Sequence, residues 1–403
     1  MEQQTNRDRR LKDSTIIAHA GRDPEAHSGA VNPPVYHAST ITFPSISAMN
    51  KARQDRFNNV TYGRIGTPTS YALEDAVAEL EGGDRSIALP SGLAAIAAAI
   101  TAFAKSGDHI LMVDNVYGPA RKFCDQFLTG YGVSVTYFDP HLTAELEPLI
   151  QENTRLVYLE SPGSQTFEMQ DVPAISALAH RRGLTVLMDN TWGTPCFFKS
   201  FEKGVDVSIH AATKYIGGHS DLMLGLVVAK EDHYRTVKSN AMLLGLCAGP
   251  DDCFLALRGL RTIEARLRMH QAHALEVANW LTGHPLVEQV LYPALPGADG
   301  HRLWKRDFLG ACGLFSVVLR PCSEAAVAAM VDGLRFFGLG ASWGGFESLV
   351  LPMHPEDLRS ATRWEPLGPV LRFHIGLEDP RDLIHDLECG FDRLRAVQQA
   401  VPA

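Results

Sequence analysis

The 403-residue chain reads as an α/β protein, a mostly parallel sheet covered by helices and followed by a smaller α+β domain. Three observations predict this. Short apolar runs alternate with helical patterns from Pro68 onward. Those runs are apolar at consecutive positions, as strands buried on both faces are. The rhythm then breaks near residue 250, at AGPDD, into a long helical stretch and sparser strands. The expected divisions are an N-terminal arm over 1–65, a first domain over 66–252 and a second over 253–403.

The arm is polar and irregular. Pro33, Pro34 and Pro44 interrupt any period, yet Val35, Tyr36 and Phe43 give it something to pack with. Leu73, Ala76, Val77 and Leu80 then recur at helical spacing; Thr67 supplies an N-cap, Pro68 fits the first turn, and Gly82-Gly83 ends the helix. Strands are expected at 87–89, 110–113, 133–138, 156–159, 184–188, 205–209 and 224–228, with helical segments such as LAAIAAAITAFA and VPAISALAHRRG between most of them. One long helical pattern spans about 255–284, and the second domain's strands are expected at 287–291, 314–319 and 370–375.

Composition narrows the partners. Lys and Arg number 37 against 46 Asp and Glu, and a net charge of -9 repels phosphate backbones and anionic lipid surfaces, so neither nucleic acid nor membrane is an expected partner. The seven cysteines are odd in number and form no C-x-x-C pair, which argues against a disulfide framework or zinc site and for a reducing cytoplasm. The first twelve residues hold no apolar targeting segment, and the longest apolar run, 93–104, is too short to span a bilayer.

Chemistry-bearing side chains fall where apolar strands end, the edge at which open α/β sheets bind ligands. In LTVLMDNTWGTP, Asp189 closes such a strand, although taken alone it is equally a turn or helix cap. Twenty-five positions later (214 minus 189), HAATKYIGGHSD sets Lys214 among Ala211, Ala212, Gly217 and Gly218, an uncommon setting that an exposed loop lysine would also produce. Together the pair points to pyridoxal phosphate, which needs a lysine amine for its aldehyde and a carboxylate to keep its ring nitrogen protonated. Ser91 and Gly92, in ALPSGLAAIAAAI, open a helix whose first N–H groups suit a phosphate, and are also ordinary turn residues. Tyr117 in VDNVYGP is suited to stack on a ring or to close a turn. Arg372 in LRFHIGLED alternates with apolar residues and offers the fork that holds an amino-acid carboxylate. Tyr62 and Arg64, in VTYGRIGTP, end the arm, where a plain turn is the alternative. No G-x-G-x-x-G follows the first strand, which excludes a nicotinamide site, and His210 and His219 lack zinc spacing, so no metal is expected.

Around Lys214, ATKYIGGHSD resembles the pyridoxal phosphate attachment segment of the cysteine/methionine-metabolism enzymes, the family of cystathionine β-lyase, cystathionine γ-synthase, cystathionine γ-lyase and methionine γ-lyase. Similar segments run from YGRIGTPT through ELEGGDRSIALPSGLAA, LESPGSQTFEMQDVPAI, MDNTW, RGLRT, YPALPG and SWGGFESL to LRFHIGLED, nearly the whole chain after the arm. GHRLWKRDFLGACGLFS, SWGG and HIGLED resemble the bacterial cystathionine β-lyase branch most. The resemblance implies fold type I, the aspartate aminotransferase-like fold, and β-elimination of L-cystathionine to L-homocysteine, pyruvate and ammonia. The γ-synthase reaction and a broad cysteine-S-conjugate β-lyase are the alternatives.

Residue by residue, the resemblance implies that Lys214, Tyr62 and Tyr117 are catalytic. Lys214 would hold the cofactor covalently, Asp189 pair with its ring nitrogen and Tyr117 stack on it. Ser91, Gly92, Leu93 and Thr213 would hold the phosphate, joined by Tyr62 and Arg64 from a neighbouring subunit; Arg372, Ser342, Trp343 and Tyr62 would bind substrate. The implied assembly is a homotetramer, a dimer of dimers with sites shared across each dimer. Trp343 marks the β-lyase branch. Ala211 stands where many relatives have serine, and Thr61 and Met242 stand where β-lyases carry aromatics, so the distal pocket departs from the pattern more than the cofactor site does. Any such role asks Lys214 to give up its proton about three units below the ordinary 10.4, roughly 4 kcal/mol.

Overall fold

In the computed structural model, residues 11–365 and 367–400 are described; the arm's first ten residues, including most of the segment read for targeting, lie outside them. The apolar runs of the first domain become β1 (Arg85–Leu89), β2 (His109–Val113), β3 (Ser134–Phe138), β4 (Thr154–Glu160), β5 (Thr185–Asp189), β6 (Val207–Ala211) and β7 (Gly225–Ala229). They form one sheet in the order β1-β7-β6-β5-β4-β2-β3, parallel except for β7, which runs antiparallel to both of its neighbours. β2, β5 and β7 are buried almost end to end, which is why their sequences do not alternate.

The helix Pro68–Glu81 forms as its sequence dictates. Thr67 and Ser70 make a capping box, Pro68 occupies the first turn, and Gly82 ends the helix at φ +87°, a left-handed conformation that costs glycine little. Its Leu73, Val77 and Leu80 are fully buried, each contributing roughly 1.5 to 3 kcal/mol of apolar burial.

The second domain carries β8 (Val287–Leu291), β9 (Leu314–Leu319), β10 (Phe337–Leu339), β11 (Ser348–Met353) and β12 (Val370–His374), ordered β10-β11-β12-β9-β8. Two features depart from the sequence expectation. The long helical pattern is two helices, Pro250–Leu260 and Ile263–Thr282. Gly259, in the last turn of the first, is pressed so close to the backbone after Lys214 that a Cβ there would lie 2.2 Å from the Gly217 carbonyl oxygen. β10 and β11 are additional strands. Pro352 argues against a strand, but β10 pairs only with Ser348–Val350, so Pro352 sits where β11 has lost that neighbour and no N–H is needed.

The loop between β11 and β12 returns to the first domain. Asp114, beyond the end of β2, accepts hydrogen bonds from the backbone N–H groups of Ser360 (3.0 Å), Ala361 (3.1 Å) and Thr362 (2.8 Å), and also pairs with Arg121. These donors hold its carboxyl below the usual range against the opposing effect of burial. The second sheet is thereby fixed beside the carboxyl ends of the first sheet's parallel strands. In the arm, Ile16, Ile17 and Phe57 are buried, while Val31, Tyr36 and Ile46 remain exposed on the single chain.

Candidate active site

A cavity of about 390 Å³ opens at those strand ends, lined by Ser91, Gly92, Leu93, Tyr117, Asp189, Thr213, Lys214, Ser342, Trp343 and Arg372 together. They arrive from six separate segments: the helix start at 91–93, Tyr117, the end of β5, the turn at 213–214, the loop at 342–343 and β12. Ser91 caps the helix Gly92–Phe103 by accepting from the Ala94 N–H at 3.1 Å, which leaves the N–H groups of Gly92 and Leu93 without a hydrogen-bond partner among the described residues. That helix end lies directly on the lysine strand, for a Cβ on Gly92 would stand 2.8 Å from the Ala211 side chain. Ala211 is therefore part of the cradle's floor.

Asp189 ends β5 and is buried. The Thr191 N–H (2.9 Å) and hydroxyl (2.5 Å) both donate to its Oδ1, and the Thr191 hydroxyl in turn accepts from the Ala211 N–H at 2.9 Å, tying β5 to β6. Oδ2 has no hydrogen-bond partner among the described residues. Burial raises the Asp189 pKa, with Thr191, His210 and Lys214 acting the other way, so a cationic partner would relieve the site.

Lys214 sits in a tight turn after β6, its N–H bonded to the Ala211 carbonyl (3.0 Å) and its own carbonyl to the Gly218 N–H (2.7 Å). Thr213 closes the same turn onto the Leu224 backbone. Lys214 Nζ donates to Ser342 Oγ at 2.6 Å and lies 5.2 Å from the Trp343 ring centre. Burial first, and the Arg372 charge second, push the Lys214 pKa down to about 8, most of the shift the sequence argument demanded. Arg372, on β12 between Ser316 and Leu351, makes one long bond to the Ser342 carbonyl (3.3 Å), and burial lowers it to about 10. Its fork is free for a carboxylate.

Tyr62 and Arg64 are not in this cavity. Arg64 lines a separate one of about 310 Å³ and donates to the Met242 carbonyl at 2.8 Å, while Tyr62 is 46% exposed. His210 and His219 also lie apart from it: His210 Nε2 is 3.1 Å from buried Glu81, and His219 Nδ1 is 2.7 Å from the Gly217 carbonyl.

Glu160 is the wall residue that sequence reasoning passed over. It ends β4 directly opposite Asp189, and the Tyr117 N–H donates to its Oε2 at 2.8 Å. Burial, and then Asp189 beside it, raise its pKa well above the usual carboxylate range. The signal was the one that found Asp189, a carboxylate closing an apolar strand. Thr191, inside MDNTW, went unassigned because only the fold shows its hydroxyl bridging two strands.

The cavity thus offers free N–H groups at a helix start, a buried carboxylate, an amine that deprotonates easily and an aromatic side chain, a set that fits the phosphate, ring nitrogen, aldehyde and ring face of pyridoxal phosphate. Fold and site together define a pyridoxal phosphate-dependent enzyme of fold type I. The chain belongs to the Cys/Met metabolism PLP-dependent enzyme family, whose profile matches residues 14–392. It is 43% identical to cystathionine beta-lyase MetC of Escherichia coli over 387 residues, 94% of this chain and 98% of that one. It is 41% identical to the L-alanine/L-glutamate racemase of Wolbachia pipientis over 396 residues, 95% and 98% of the two chains. The solved structure of cystathionine gamma synthase from Xanthomonas oryzae pv. oryzae, in complex with aminoacrylate and cysteine, superposes with a TM-score of 0.88 at 33% identity, covering 96% of this chain and 99% of that one.

Proposed function

We propose that this chain is a carbon–sulfur lyase that cleaves L-cystathionine by β-elimination to L-homocysteine, pyruvate and ammonia, and accepts other S-substituted cysteines as well. Bound pyridoxal phosphate supplies the electron sink that makes the substrate's Cα–H acidic. The observation that carries the reading is Lys214, whose Nζ sits within reach of Ser342 and Trp343 with its pKa pushed down to about 8 by burial.

Lys214 would hold the cofactor, and its Nζ takes the substrate's Cα proton and delivers it to the departing sulfur. Asp189 would keep a proton on the cofactor's ring nitrogen. Tyr117, its backbone held by Glu160, would cover the cofactor's ring. The Gly92 and Leu93 N–H groups, with Ser91 and Thr213, receive the phosphate. Arg372 grips the α-carboxylate, with Ser342 and Trp343 beside it. Elimination leaves aminoacrylate, which water converts to pyruvate and ammonia. Tyr62 and Arg64, distant from their own chain's cavity, complete the cavity of a second copy, and the arm's exposed Val31, Tyr36 and Ile46 pack against that copy. We place the assembly as a tetramer in the cytoplasm; among the described residues no helix is long and apolar enough to cross a membrane.

Incubation with L-cystathionine and identification of the keto acid tests the reading. Pyruvate with homocysteine is expected and 2-oxobutyrate would mean γ-cleavage; in a parallel incubation with L-alanine, formation of D-alanine together with no keto acid from cystathionine would align the chain with its racemase relative. Comparing kcat/KM for cystathionine with that for a small S-alkyl cysteine measures how broad the pocket is.

A further inference from the structure

We propose that His374 is a positioning residue that locks the loop 342–345 onto Lys214; the inference rests on Lys214 being the cofactor lysine. His374 shares a face of β12 with Arg372, two residues away, and is fully buried. Its Nε2 lies 3.1 Å from the Gly344 N–H and 3.0 Å from the Gly345 carbonyl, so one ring nitrogen meets two consecutive residues of that loop.

The loop touches the lysine through its backbone. Gly344 has φ +88°, and a Cβ there would fall 2.8 Å from both the Lys214 carbonyl carbon and the Tyr215 nitrogen. Two residues earlier, Ser342 is held at φ +84°, a left-handed conformation that a serine leaves unless its surroundings prevent it. Its hydroxyl is the partner of Lys214 Nζ at 2.6 Å. Relaxation of Ser342 would carry that hydroxyl away, and Trp343 with it.

Behind His374 the support is aromatic. The Tyr215 hydroxyl is 3.5 Å from its Nδ1 and accepts from the Gly313 N–H at 2.8 Å, while His270, whose Nδ1 is 2.8 Å from the Ile375 carbonyl, lies 5.3 Å away ring to ring. Burial first and His270 second, with Arg372 and Lys214 behind them, keep the imidazole neutral against the pull of the Gly345 carbonyl, lowering it to about 3. The neutral Nε2 makes one of these bonds at a time, accepting from the Gly344 N–H or donating to the Gly345 carbonyl according to its tautomer, and either one ties the ring to the loop without a charge that titrates in the working pH range.

Two variants of the holoenzyme separate this role from bulk packing. His374→Phe keeps a ring and loses both loop contacts, whereas His374→Gln returns an amide to the Nε2 position. The first readout needs no substrate: the pH titration of the resting cofactor absorbance, alongside cofactor content and kcat against KM. In His374→Phe the titration midpoint should move by about one unit or more, and kcat should fall by about tenfold or more with KM changed less than about threefold. His374→Gln should keep the parent midpoint, with kcat within about threefold of the parent. A Phe variant with the parent's midpoint and kcat overturns the proposal, as does a Gln variant impaired as much as Phe. If the Phe protein does not fold, His374→Asn, whose shorter amide misses the loop, replaces it with the same expectations. A parent protein that takes up no cofactor would refute the Lys214 reading instead; the loop is then tested by the pH at which Nζ reacts with an acylating reagent, near 8 in the parent and displaced upward in His374→Phe.

Discussion

Two cavities of the chain, one around Lys214 and one beside Arg64, differ in how they are built. The one around Lys214 is assembled from strand ends of a buried sheet, each functional group fixed by a backbone contact or a second side chain: Thr191 on Asp189, Ser342 on Lys214, Glu160 behind Tyr117. The one beside Arg64 is walled by the arm and by the segment after Met242, and exposed Leu243 and Leu244 adjoin it. The first gathers charged and polar groups suited to chemistry, and the exposed apolar residues beside the second fit the proposed docking of a second copy. In the reading proposed above, the first cavity carries most of the cofactor and substrate groups on one chain, and the second copy adds Tyr62 and Arg64.

Substitutions in the first cavity should have the largest effects. Lys214→Ala should lower kcat by more than about 10⁴-fold, even in protein that still binds pyridoxal phosphate, when pyruvate release is followed under saturating cystathionine. Asp189→Asn removes the charge that stabilises a protonated ring nitrogen, and should cost about 10² to 10³ in kcat by the same assay. Arg372→Ala should reduce kcat/KM by about 2 to 4 kcal/mol, roughly 30- to 1000-fold, mostly through KM; unchanged kcat/KM would remove it from the site.

The division between the cavities is broken or sharpened by mixing variants. Tyr62→Phe and Lys214→Ala are each expected to be impaired alone, and co-refolded at equal amounts they should regain about a quarter of parental activity, because half of the dimers carry one intact site. No regain would confine each site to one chain. The smallest effect concerns electrostatics. In cofactor-free protein, acylation of Lys214 should show a midpoint near pH 8, since burial favours the neutral amine above that value. Arg372→Gln removes a cation that lowers the lysine pKa and should raise the midpoint; Asp189→Asn removes an anion that raises it and should lower the midpoint.

The first sheet was legible because burial on both faces leaves continuous apolar runs, and the chemistry because it follows those runs. Helix Pro68–Glu81 was written in its caps. β10 was too short to carry a pattern, β11 was masked by Pro352, and the break between helices Pro250–Leu260 and Ile263–Thr282, at Arg261 and Thr262, is marked by no proline or glycine of its own. Within the site, Lys214 and Asp189 stood out by composition. Glu160 carried the same signal unnoticed, and His374 was hidden within an apolar strand as an apparent core residue, since its contacts with Gly344 and Gly345 join segments about thirty positions apart. Tyr62 and Arg64 were candidates at the end of the arm, but their assigned role came from the resemblance alone, because on one chain they lie outside the Lys214 cavity.

Everything above depends on the amine of one lysine meeting pyridoxal phosphate. Reducing the purified protein with borohydride in the presence of that cofactor, then mapping its peptides by mass spectrometry, tests this most directly. The added mass should fall on the peptide carrying Lys214 and on no other; a label on a different lysine, or none on a folded protein, would contradict the account.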